Sequence, residues 1–115
     1  MIESNEKPPR LDSLDVFGPI YSKGLFDDFF KDGFHPFLQT QRGCPFKCAY
    51  CHASDDYYTR VIFQSPKIFE KEMEYLGKKF EKQHDIFLHF ANANFGLFKQ
   101  DFEVARIIRR IQDKY

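Results

Sequence analysis

Two apolar stripes at helical spacing constrain this chain most. Phe69, Met73, Leu76 and Phe80 form one, and Val104, Ile107, Ile108 and Ile111 form the other. Residues three to four apart share a helix face, so each stripe builds an amphipathic helix whose apolar side must be covered. The first stripe predicts a helix over 66–82, opened by the Ser65 hydroxyl as cap and by Pro66 at the first helical position. Gly77 weakens that helix slightly. The second predicts a helix over 100–114, with Arg106, Arg109 and Arg110 in solvent. Short extended runs lie ahead of these helices. Pro36–Thr40 reads as a strand, Arg60–Gln64 as a further extended piece, and Asp85–Phe90 as a nearly continuous apolar run of the kind buried on both faces of a parallel sheet. Strand, loop, helix, strand, loop, helix is the order of right-handed βαβ crossovers, hence an α/β fold with a parallel sheet. In such folds function gathers at the C-terminal ends of the strands.

At 115 residues the chain makes at most one ordinary domain. Residues 1–23, with Pro8, Pro9 and Pro19 and little periodicity, read as an extended lead-in or linker, leaving 24–115 as the folded part. Gly24–Gly33 predicts a short helix bracketed by glycines, with Leu25, Phe26, Phe29 and Phe30 on one packing face. Seventeen basic and seventeen acidic side chains leave no basic excess, which argues against nucleic-acid or anionic-membrane partners. Fifteen phenylalanines and six tyrosines are read as core material and not as a base-stacking platform. No apolar run approaches the roughly 20 residues that span a bilayer. The polar N-terminus shows no signal-peptide core, so the expected location is cytoplasmic, where thiols stay reduced.

All three cysteines fall in Cys44-Pro45-Phe46-Lys47-Cys48-Ala49-Tyr50-Cys51-His52. An odd number of thiols so close together makes a poor disulfide framework. Thiolates favour soft centres such as zinc, copper(I) or iron–sulfur clusters. A cubane cluster normally takes four cysteines, so three would leave one iron open to a substrate. Zinc would need His52 as fourth ligand, on the same loop and adjacent to Cys51, giving a small Cys3His metal-binding or interaction module without catalysis. Cys48-Ala49-Tyr50-Cys51-His52 also matches covalent c-type haem attachment, which leaves Cys44 unused and normally requires export. Three ordinary thiols are the remaining reading, and the dense spacing argues against it.

Cys44-x-x-x-Cys48-x-Tyr50-Cys51, following a first strand, resembles the signature of the radical S-adenosylmethionine (radical SAM) superfamily. Gln41-Arg42-Gly43-Cys44-Pro45-Phe46 resembles the lead-in of its cobalamin-domain-associated and methylthiotransferase-like branches. Ser65-Pro66 and the Ala91-Asn92-Ala93-Asn94-Phe95 loop are similar to those branches too, and the likeness runs from about Leu25 to the C-terminus. It implies a 4Fe-4S cluster on Cys44, Cys48 and Cys51, with S-adenosylmethionine chelating the open iron. Reductive cleavage to methionine and a 5′-deoxyadenosyl radical would follow, acting on an unknown substrate. An electron donor such as flavodoxin or ferredoxin, and a cobalamin-binding domain outside this chain, are implied as possible companions. By the same resemblance Tyr50 contacts the adenine region through its backbone and Phe46 shields the cluster. Asn92 and Asn94 lie where the family hydrogen-bonds the amino end of S-adenosylmethionine. Acidic residues are common in that loop, and here Ala91 and Ala93 supply none. Asn92 and Asn94 read equally as turn-forming residues closing a strand.

The resemblance implies a partial (βα)6 TIM-like barrel, of which this chain carries only the N-terminal βα units. An N-terminal portion of a longer enzyme, inactive alone, is therefore expected. His35 and His84 are isolated, and His89 reads as a hydrogen-bonded core histidine. Lys47 reads as a solvated lysine beside the thiol loop.

Overall fold

The computed structural model describes residues 7–83 and 85–115. His84 and residues 1–6 of the lead-in lie outside that range. Both apolar stripes become helices and pack on each other. Helix α3 spans Pro66–Lys79 and helix α4 spans Lys99–Lys114. Phe69, Met73 and Leu76 from α3 meet Val104, Ile107 and Ile111 from α4, joined by Tyr21 and Leu38. Phe80 and Ile108 are half-buried at the margin. Gly77 is the point of closest approach, since a Cβ there would lie 2.6 Å from Ile111 Cγ2 and 2.7 Å from the Tyr115 ring. The residue that weakens α3 in isolation lets α4 dock against it.

The start of each helix is held by a carboxylate, one from the lead-in at α3 and one from the first turn of the helix itself at α4. The Ser65 side chain makes no cap bond, contrary to the sequence expectation. The Ser65 N–H instead donates to Asp15 Oδ1 at 2.7 Å, tying the lead-in to the helix start. At α4 the buried Asp101 carboxylate accepts from the N–H groups of Gly96 and Phe98, at 2.9 and 3.0 Å. A carboxylate in the first turn also suits the helix dipole.

The strands are shorter than expected and form two separate two-stranded sheets. Strand β1 (Phe37–Leu38) pairs in parallel with β4 (His89–Phe90), in the register Phe37↔His89 and Leu38↔Phe90. Strand β2 (Gln41–Arg42) pairs antiparallel with β3 (Ile62–Phe63), so Gln41 faces Phe63 and Arg42 faces Ile62. The α/β class and the parallel pairing across a helical crossover are as expected. The described residues do not show a partial barrel. The 85–90 run is not buried on both faces either, because Phe87 is 64% exposed and His89 lies at the surface beside His35.

The lead-in is not an extended linker over its described part. It carries 3-10 turns at Leu14–Phe17 and Tyr21–Lys23, and both Leu14 and Tyr21 are buried. The expected short helix over 24–33 narrows to α1, Asp27–Lys31, with no buried residue. Leu25 and Phe29 are exposed, whereas Phe30 packs on the core margin, edge-on to Phe80, and the Phe26 ring lies against that of Tyr21. A further short helix, α2, spans Asp56–Thr59 in the polar stretch read as loop. Its start is capped by Asp55, whose Oδ1 accepts from the Tyr57 N–H at 2.8 Å. Among the described residues no helix is long and apolar enough to cross a membrane.

Helix α1 is held to α3 by the Tyr75 hydroxyl, which donates to Asp27 Oδ1 at 2.6 Å, and by Lys79 at 2.9 Å from Asp27 Oδ2. The hydrogen bond to the Asp27 carboxylate, followed by burial, pushes the Tyr75 phenol up to about 12. A raised phenol pKa means the native state keeps a proton that the unfolded chain loses. This contribution is complete below the ordinary tyrosine pKa of about 10 and fades as pH rises through about 12. Asp27→Asn should therefore bring the Tyr75 titration back toward the ordinary range, read as the ultraviolet difference between each chain and its Tyr75→Phe counterpart.

Candidate metal and cofactor site

The three thiols stand on the connection between β2 and β3, and the fold fixes both ends of it. After β1 the chain bends through Gln39 and Thr40, and the Asn92 side chain from the loop after β4 holds that bend. Asn92 Oδ1 accepts from the N–H groups of Thr40 and Gln41, at 2.9 and 3.3 Å. Asn92 Nδ2 donates to Thr40 Oγ1 at 2.6 Å. An amide oxygen holding two donors has both lone pairs engaged, so Asn92 has none left for an ammonium group. Its role here is to close the strand ends, the turn-forming alternative offered by the sequence.

Gly43 then makes the exit. Its φ is +112°, and a Cβ would stand 2.5 Å from the Arg60 carbonyl oxygen and 2.9 Å from that of Tyr58. Only glycine permits both that backbone conformation and that contact. Next to it the Cys44 N–H donates to the Tyr58 carbonyl at 2.9 Å. The chain thus leaves and returns through one point, and residues 45–57 project from it. Within the projection the Cys51 N–H donates to the Cys48 carbonyl at 3.0 Å, and Ser54 N–H to the Cys51 carbonyl at 3.1 Å. The lead-in braces the return leg. Arg10 donates to the Tyr57 carbonyl at 2.5 Å, the Tyr57 hydroxyl donates to the Pro8 carbonyl at 2.9 Å, and Lys7 pairs with Asp55 at 2.6 Å.

Cys44 and Cys48 are half-buried, Cys51 is exposed, and all three are free thiols. Asn94, in the same loop as Asn92, donates from Nδ2 to Cys44 Sγ at 3.1 Å. Gln41 Nε2 donates to the Asn94 carbonyl at 2.8 Å. Phe46 is 49% and Tyr50 93% exposed. Lys47 pairs with Asp56 at the surface. His52 is exposed at the start of the 3-10 turn His52–Ser54. Among the described residues no group of three or more His, Cys, Asp or Glu side chains is gathered as a metal-holding set, His52 included. The donor chemistry nevertheless fits a soft metal centre: three unpaired thiols on one loop, one of them already accepting an N–H hydrogen bond.

Sequence reasoning named the thiols and both asparagines as candidates and did not single out Gln41, which is 1% exposed and links β2 to the Asn94 loop. A glutamine inside a strand next to a glycine exit was the available signal. What fold and site define together is an α/β chain with three free thiols on a loop just past a parallel strand. No family model matches the chain, and no solved structure does. The 2-(S-pantetheinyl)-carbapenam-3-carboxylate methyltransferase of Streptantibioticus cattleyicolor is 29% identical over 76 residues, which is 65% of this chain and 10% of that enzyme. The chain is distantly similar to a methyltransferase and spans about a tenth of its length.

Proposed function

We propose that this chain is part of a radical SAM enzyme, in which Cys44, Cys48 and Cys51 hold a 4Fe-4S cluster and leave one iron open for S-adenosylmethionine. The observation that carries the reading is the placement of three free thiols on one loop rooted past the end of β1. The distant likeness to a methyltransferase supports it, since methyl transfer commonly draws on S-adenosylmethionine. When bound, the cluster and its S-adenosylmethionine would supply a one-electron cleavage of the sulfonium, yielding methionine and a 5′-deoxyadenosyl radical that takes hydrogen from a substrate.

The chain's own residues bind and orient. Cys44, Cys48 and Cys51 would each ligate one iron. Gly43 and the Cys44 N–H fix the root of the loop on Tyr58 and Arg60. The Tyr50 backbone would meet the adenine and the Phe46 ring would limit water at the metal. In this reading the electron comes from a donor of the flavodoxin or ferredoxin class. The same reading takes the two βα units here as part of a (βα)6 barrel, with a cobalamin-binding domain as a companion.

Anaerobic reconstitution of the chain with iron and sulfide tests this. The expected product shows broad violet-blue absorption and, once reduced, an EPR signal that changes on adding S-adenosylmethionine. Cys44→Ala, Cys48→Ala and Cys51→Ala should each lose most of that absorption. A colourless chain binding one zinc per molecule would overturn the proposal.

A further inference from the structure

We propose that Asn94 is a positioning residue for the Cys44 thiolate: it donates an N–H hydrogen bond to the ligating sulfur and thereby makes the cluster easier to reduce. This rests on the cluster reading above. It assigns Asn94 to a metal ligand and not to the amino end of S-adenosylmethionine.

The geometry is specific. Asn94 Nδ2 lies 3.1 Å from Cys44 Sγ. A sulfur bound to iron carries no proton, so it can only accept, and the nitrogen side of the amide is what Asn94 presents to it. An N–H donated to a ligating sulfur withdraws electron density from it. The reduced cluster, which carries one more negative charge, gains more from that withdrawal than the oxidised one, so the potential rises.

Asn94 is held for this purpose by a buried partner. The Gln41 side chain donates from Nε2 to the Asn94 carbonyl at 2.8 Å. Gln41 is itself fixed by pairing with Phe63 across β2 and β3, and its N–H is on Asn92 Oδ1. Two asparagines of one loop therefore act on the two sides of the thiol exit. Asn92 fixes the strand that leads in, and Asn94 contacts the first thiol that leads out. The charge at this position has a physical reason too. A carboxylate in place of the Asn94 amide would set an acceptor oxygen against a thiolate, replacing an attraction by a repulsion.

The test compares wild type, Asn94→Ala and Asn94→Asp after anaerobic reconstitution, by EPR-monitored redox titration and by resonance Raman of the terminal iron–sulfur stretches. Both variants should show a midpoint shifted to more negative potential, with Asp shifted further than Ala. The stretch should move to higher frequency as the sulfur regains electron density. Circular dichroism checks the fold, and if Asn94→Ala fails it, the nearly isosteric Asn94→Asp carries the comparison. Clusters of unchanged midpoint and stretch in a folded Asn94→Asp chain would overturn the inference while leaving the cluster reading intact. A wild-type chain that takes up no cluster would overturn the cluster reading and this inference with it.

Discussion

Gly43→Ala should open the root of the thiol loop and destabilise the chain by about 2–4 kcal/mol, from left-handed backbone strain together with steric overlap. The added methyl would stand 2.5 Å from the Arg60 carbonyl oxygen and 2.9 Å from the Tyr58 carbonyl oxygen. Both are main-chain atoms, so neither can rotate aside as a side chain would. Relief requires the two legs of the loop to separate. That breaks the Cys44 N–H bond to Tyr58 and strains the β2–β3 pairing directly behind it. Domains of this size have total stabilities on the order of 5–15 kcal/mol, so the loss is a large fraction of what is available. Urea unfolding followed by circular dichroism should show a lower midpoint. An alanine chain with the wild-type midpoint would show that the loop root is not clamped as described.

How much of this was legible in the sequence depends on the range of the interaction. Helices α3 and α4 were, because a period of 3.6 over four turns is a strong local signal and the stripes Phe69–Met73–Leu76 and Val104–Ile107–Ile111 are the surfaces that meet. The thiol loop was equally plain, since three cysteines on one short segment need no fold to bring them near one another. Two-residue strands carry no period, so neither the antiparallel β2–β3 pair nor the true extent of β1 and β4 could be read. The lead-in was misread for a related reason. Its partners are about fifty residues away: Ser13 donates to the Phe63 carbonyl, and Asp15 accepts from Ser65. Three prolines and no apolar rhythm look the same in a linker as in a segment strapped down by such bonds. Asn92 shows the same limit at the site. Its sequence context suits a ligand contact or a turn, and only the positions of Thr40 and Gln41 decide between them.

Glu72→Ala should cost a comparable amount, because one buried carboxylate joins the lead-in, helix α3 and strand β1. Glu72 is 2% exposed, and its two oxygens accept the N–H groups of Tyr21, at 2.6 Å, and Ser22, at 3.2 Å. Those bonds seat the 3-10 turn that carries Tyr21 into the core. The Tyr21 hydroxyl then donates to the Phe37 carbonyl at 2.7 Å and accepts from the Phe37 N–H at 3.0 Å. It thereby serves the edge of β1 opposite β4 as a neighbouring strand would. Removing the carboxylate leaves two backbone donors without an acceptor and a space beside α3, at about 1–3 kcal/mol for each stranded group. Glu72→Gln keeps one acceptor oxygen and should lose about half as much, so the pair of variants separates acceptor loss from lost volume. Hydrogen exchange gives the local readout. In Glu72→Ala the Tyr21, Ser22 and Phe37 amides should exchange faster by a factor larger than the global stability loss explains, whereas the Val104 and Ile107 amides should follow that loss alone. Equal acceleration at all five would mean that the carboxylate supports the helix pair in general and not the Tyr21 brace on β1.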